Sequence, residues 1–134
     1  DSTITTYLND KYLNSYWADG LIIATPTGST GYSLSCGGPI VMPGSENFII
    51  TPIAPHNLNV RPLVISDKYE IKVKVEGRAK QFLVALDSRI QTMDAGLELT
   101  IKKESFKINM IETETQDFSS TLRNKLLWGL DKRN

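Results

Sequence analysis

Apolar and polar residues alternate strictly over three stretches in the second half of the chain. Ile71, Val73 and Val75 are separated by Lys72 and Lys74, and Leu97, Leu99 and Ile101 follow the same rule, as do Phe106, Ile108 and Met110. A period of two puts one set of side chains against a core and the other in water, so each stretch predicts a half-buried antiparallel strand. Residues 3–8 and 11–17 are rich in β-branched and aromatic side chains and are separated by Asn9-Asp10, which predicts a hairpin. Residues 21–25 (LIIAT) form a continuous apolar run, consistent with a strand covered on both faces. Further short strands are expected at 48–51, 63–65 and 82–86. Two helices complete the pattern. One spans residues 29–36, capped by Thr27 or Ser29 and stopped by Gly37-Gly38-Pro39. The other begins near Ser119 or Ser120, with Phe118, Leu122, Leu126 and Leu130 stepping by four. With about nine short strands and so few helices, the expected fold is mainly β: a two-sheet, sandwich-like domain with one short helix after the loop that follows residue 25 and one C-terminal helix.

Composition narrows the class. The 134 residues, 40% apolar and 22% charged, suit one globular domain spanning 1–134. A compact chain of this size buries about 68% of its unfolded surface, enough for a core without staples. Fifteen basic residues balance fifteen acidic ones, so no basic excess marks a nucleic-acid or anionic-membrane partner. Cys36 is the single cysteine, which excludes an internal disulfide and fits a reducing compartment. Apolar runs are too short to span a bilayer, and no charged-then-apolar leader opens the chain. A cytoplasmic protein is expected.

The punctuation is uneven. All six prolines and most glycines lie between positions 20 and 62, and the only basic residues before position 68 are Lys11 and Arg61. The segment Thr25-Pro26-Thr27-Gly28-Ser29-Thr30-Gly31-Tyr32-Ser33 follows the buried strand and leads into the first helix. Free backbone N–H groups at a helix start favour an anion or a nucleotide, and glycines let a ligand approach the backbone. The string is neither a Walker A loop, since no lysine follows the glycines, nor Gly-x-Gly-x-x-Gly. On physical grounds alone, a capped helix after a tight turn explains it equally well.

The strings DGLIIATPTGSTGYSLSCGGPIV and ITPIAPHNLNVRPLVI, within residues 19–65, resemble the signature of NAD kinases in their C-terminal, NAD-binding domain. The resemblance implies phosphorylation of the 2′-hydroxyl of the adenosine ribose of NAD by ATP, with a divalent metal such as Mg²⁺, to give NADP. It also implies a cytoplasmic homo-oligomer, a dimer or tetramer, with NAD bound near a subunit interface. The family's Gly-Gly-Asp-Gly motif, whose aspartate is assigned as general base, and its Asn-Glu or Asn-Asp pair are absent from the sequence. The chain therefore reads as the NAD-binding half of a two-domain protein. No catalytic residue and no metal ligand are expected in it, and it is not expected to be a competent kinase alone.

The resemblance also distributes roles. Asp19 matches the aspartate that reaches the nicotinamide end of NAD; without the match it would be a turn aspartate before a strand. Thr30, Gly31, Tyr32, Ser33 and Ser35 match the stretch lining the NAD pocket, with Gly31 in place of a commoner alanine and Leu34 assigned to the core. Tyr32 can stack on a ring, while Thr30 and Ser35 can hydrogen-bond base or ribose. Thr27 is a plausible hydroxyl contact and Gly28 a hinge. Ala54 aligns with a position touching adenine from a neighbouring subunit, and Arg89 stands where relatives place an NAD-contacting amide. Trp17 is expected to be a packed aromatic, His56 and Arg61 structural, with Arg61 buried, and Cys36 packed and inert. Two other readings stay open: a diacylglycerol-kinase-like lipid kinase domain, against which the polar Thr-Pro-Thr-Gly-Ser-Thr string argues, and a β-sandwich that only binds nucleotide or mediates oligomerisation.

Overall fold

A computed structural model of the chain describes residues 2–86, 89–103 and 108–112. Ten strands lie among these residues: β1 (Ser2–Leu8), β2 (Lys11–Trp17), β3 (Gly20–Ala24), β4 (Asn47–Ile53), β5 (Leu63–Ser66), β6 (Ile71–Gly77), β7 (Gln81–Leu86), β8 (Arg89–Asp94), β9 (Glu98–Ile101) and β10 (Ile108–Glu112). They form an antiparallel four-stranded sheet, β2-β1-β6-β9, and an antiparallel six-stranded sheet, β5-β4-β3-β10-β7-β8. The expected helix near the C-terminus lies outside the described residues.

The period-two pattern explains how the sheets meet. Ile4, Ile71, Val73, Val75, Leu99 and Ile101 of the smaller sheet share one buried apolar cluster with Leu21, Ile23, Phe48, Ile50, Phe82 and Val84 of the larger. Lys72 and Lys74 alternate with them on the outer side, where Lys72 is hydrogen-bonded to Asp10 and close to Glu70 and Glu98. The Asn9-Asp10 turn joining β1 to β2 has φ values of 48° and 67°. Positive φ at both central residues is the twist-matched geometry of a two-residue hairpin, which asparagine and aspartate tolerate.

Three elements depart from the sequence expectation. The strand expected at 48–51 runs on through Pro52 to Ile53. Proline fits because β5 pairs only as far as Ile50, so one side of β4 has no ladder to break at position 52. Strand β8 was not expected. It is an edge strand whose residues are exposed apart from half-buried Met93, so its polar sequence carries no alternation. The first helix is two separate turns: a 3₁₀ turn at Thr27–Thr30 and α1 (Tyr32–Ser35).

Candidate functional site

Strand β3 is buried at all five positions, and its side chains divide between two faces of the larger sheet. Leu21 and Ile23 enter the core, while Ile22 and Ala24 join Ile49, Ile53 and Ala85 in a second cluster on the outer face. Tyr32, Cys36 and Val41 pack against that second cluster. The segment after β3 therefore folds back over the outer face of the sheet that delivered it.

Local chemistry fixes that path. Pro26, at φ −54°, is already helical and starts the 3₁₀ turn, in which the Ser29 N–H donates to the Pro26 carbonyl at 3.2 Å and that of Gly31 to Gly28 at 3.1 Å. Neither turn has a side-chain cap, which corrects the expected Thr27 or Ser29 cap. The Ser29 hydroxyl is instead buried, donating to the Pro26 carbonyl at 2.7 Å and accepting from the Val41 N–H at 3.1 Å, so it ties the start of the loop to its end. At Gly31 the backbone turns to φ −89°, ψ −134°, and α1 begins. Gly37, at φ +87°, closes the segment with a conformation that side chains disfavour.

The second turn is seated on β4. Ser33 and Thr51, both buried, share a hydroxyl–hydroxyl hydrogen bond of 3.0 Å. Thr51 pairs with Ile22, the middle residue of β3, so α1 sits over the centre of the strand. Gly38 closes over this pair and donates its N–H to the Ser33 carbonyl at 2.8 Å. Ser29, Thr51 and Gly38 were not singled out as a supporting set by sequence. The one available signal was that a single glycine suffices to end a helix, leaving the second of Gly37-Gly38 unexplained.

The sequence-derived site residues fall into three groups along β3. Thr27, Thr30, Gly31 and Ser35 are exposed on the returning loop, with Tyr32 half-buried between them. Asp19 and Ala54 stand at the entry of the strand, about 17 Å by strand rise from its exit at Ala24. There the Asp19 N–H donates to the Ile53 carbonyl at 2.9 Å. Arg89 is the outlier. It opens β8, three strand spacings (about 14 Å) along the sheet from β3. Register through β10, where Ile111 pairs with both Leu21 and Val84, puts it at the same end as the exit of β3. Ser33 turns its hydroxyl into the sheet, onto Thr51, while Tyr32 packs against the outer cluster beside it.

Four neighbouring expectations need correcting or refining. Leu34 is 41% exposed rather than core, because Tyr32 and Ser33 take the inward side of this single turn and Leu34 faces away. Trp17 is 58% exposed at the end of an edge strand, with the tilted His56 ring at a centroid distance of 5.9 Å as its aromatic neighbour. Arg61 is exposed, and its Nη1 donates to the carbonyls of Leu58 and Val60. Cys36 is half-buried against the outer cluster, as a packed side chain.

Charge is absent where the loop turns: no acidic or basic residue occurs between Asp19 and Glu46. The groups with displaced proton affinities lie on the other sheet. Burial raises the Tyr16 hydroxyl against an opposing bond from Asn14, and the bond to Asp10 raises Lys72. Among the described residues no three His, Cys, Asp or Glu side chains cluster as metal ligands, and no helix is long and apolar enough to cross a membrane. The surface thus offers hydroxyls, backbone N–H groups and one aromatic ring, with no side-chain charge of its own.

These features define a two-sheet β domain in which a hydroxyl-rich loop covers one face of the larger sheet. The family model described as the ATP-NAD kinase C-terminal domain matches residues 2–113. The chain belongs to that family. It is 68% identical over 132 residues to the NAD kinase of Flavobacterium psychrophilum, covering 98% of this chain and 45% of that protein. It is 50% identical over 131 residues to the NAD kinase of Bacteroides fragilis, again covering 98% and 45%. Among solved structures, an NAD kinase from Archaeoglobus fulgidus in complex with ATP aligns with a TM-score of 0.68 at 33% identity, over 94% of this chain and 48% of that one. Yeast NADH kinase complexed with NADH aligns with a TM-score of 0.69 at 26% identity, over 97% and 41%. The chain thus spans less than half the length of these relatives.

Proposed function

We propose that the protein containing this chain phosphorylates the 2′-hydroxyl of the adenosine ribose of NAD with ATP, giving NADP, and that this chain supplies the NAD-binding half. The observation that carries the reading is the hydroxyl-bearing turn at residues 27–35, folded over the outer sheet face of a domain belonging to the ATP-NAD kinase family. Thr27, Thr30, Tyr32 and Ser35 line the dinucleotide, Gly28 and Gly31 let it approach the backbone, and Asp19 and Ala54 hold its far end. The fold itself does not demand glycine at 28, where a Cβ would meet Ala24 and Thr25 at ordinary distances of 3.7 and 3.8 Å. Arg89 contacts only an extended part of the ligand. Ser33 supports the turn from beneath.

Phosphoryl transfer depends on alignment and charge stabilisation more than on covalent chemistry by the protein. The chain's part is alignment: it holds the ribose hydroxyl in place. The general base, the ATP phosphates and the accompanying Mg²⁺ belong to the other half of the protein, since the loop carries no cation to neutralise a triphosphate. The working form is a cytoplasmic homo-oligomer, with residues 1–134 as one domain of each subunit.

Calorimetric titration of NAD into the full-length protein tests the assignment. Tyr32→Ala and Asp19→Ala should each weaken binding by about tenfold or more, as loss of a stacking or charged contact does. Unchanged affinity in both would remove the site from this face. Turnover by the 134-residue chain alone would overturn the division of labour.

A further inference from the structure

Apolar contact alone would leave α1 free to slide over the outer cluster, because Ile22, Ile49 and Ile53 present a smooth surface without directional bonds. The Ser33–Thr51 pair removes that freedom. Both residues are at most 1% exposed, and their hydroxyls are 3.0 Å apart. A shift of the turn would break this bond and strand two buried polar groups, so the pair specifies a single seating. Gly38 seals it. A Cβ at position 38 would lie 2.3 Å from Ser33 Oγ, 2.7 Å from the Ser33 carbonyl oxygen and 2.8 Å from Thr51 Oγ1, closer than real carbon atoms come. Three positions spread over 18 residues of sequence therefore meet at one point, between the Tyr32–Ser35 turn and β4.

We propose that Thr51 is a positioning residue for the NAD site: acting through Ser33 and roofed by Gly38, it sets the height and register of the Tyr32–Ser35 turn over β4. The proposal rests on the NAD-binding reading above. Thr51 does not touch the ligand. It determines where the residues that do are held.

The test uses the full-length enzyme and three variants. Thr51→Val keeps the side-chain shape and removes the hydroxyl; it should raise KM for NAD about tenfold, with kcat within about twofold and KM for ATP unchanged. Thr51→Ser keeps the hydroxyl and should restore KM to within about twofold of the parent. Ser33→Ala should reproduce the Thr51→Val effect, and the double variant should be no worse than either single one, since all remove the same bond. A fall in kcat at unchanged KM for NAD would mean fewer folded molecules and a purely structural role, which overturns the proposal. Should Thr51→Val fail to fold, Ser33→Ala decides alone, and an unchanged KM there has the same force. Full-length parent protein that does not phosphorylate NAD would overturn the proposed function and this inference together. An active parent with unshifted variants would overturn only the inference.

Discussion

The two faces of the six-stranded sheet are built on opposite principles. On the inner face, Leu21, Ile23, Phe48, Ile50, Phe82 and Val84 meet the smaller sheet through apolar contact. On the outer face a smaller cluster, Ile22, Ala24, Ile49, Ile53 and Ala85, carries a loop whose path is set by the hydroxyls of Ser29, Ser33 and Thr51 and by the bare backbone of Gly38. Hydrophobic burial is strong but non-directional, so it fixes that the sheets meet more firmly than how a turn is oriented. The proposed binding surface calls for the reverse: modest burial and bonds that specify position.

If that division is right, truncation should hurt most on the inner face. Phe82 is fully buried there. Phe82→Ala should cost about 3–5 kcal/mol in urea unfolding of the full-length protein, while NAD affinity per folded molecule stays unchanged. A cost near 1 kcal/mol would show that the inner face is not where stability resides. Addition should hurt most on the outer face. Gly38→Ala forces a methyl against the Ser33–Thr51 pair and should cost about 1–3 kcal/mol of stability by overpacking. Its NAD affinity should fall by at least as much again, read by thermal unfolding beside calorimetry. A variant that loses stability alone would erase the distinction between the faces.

The same contrast sets what could be read in advance. Inner-face strands announced themselves because burial on one side imposes a period of two, visible in Ile71, Val73 and Val75, and because LIIAT runs apolar where both faces are covered. The hairpin at Asn9-Asp10 was legible because positive φ restricts the residue choice. Strand β8 was not, since an exposed edge imposes no pattern. Nor was the break at Gly31, because in four-residue turns hydrogen-bond partners, not periodicity, decide the geometry. The hydroxyl partners of the outer face were beyond reach for a related reason. Serine and threonine bond equally well to many groups, and nothing local to Ser33 says that its partner is 18 residues away on β4. The resemblance to the family located the loop; it put Ser33 in the pocket lining, whereas its side chain faces the sheet.

The mildest test of the comparison lies at the far end of β3. Ala54 follows β4 with φ +47°, a left-handed conformation that costs an alanine about 1 kcal/mol. Two backbone bonds hold it there: Asp19 N–H to the Ile53 carbonyl at 2.9 Å and His56 N–H to the Trp17 carbonyl at 2.8 Å. Ala54→Gly relieves that strain, but it also frees the unfolded chain, which offsets about 0.4–1 kcal/mol. The balance is a stability between unchanged and about 0.5 kcal/mol higher, a small upward shift of Tm. If the Ala54 methyl contacts the dinucleotide, affinity should move the other way, falling about twofold with the loss of one apolar contact. Opposite signs in the two measurements would mark a position strained for binding. A loss of both stability and affinity would instead make Ala54 an ordinary packing residue, and the site would then owe its shape to the Ser33–Thr51 pair alone.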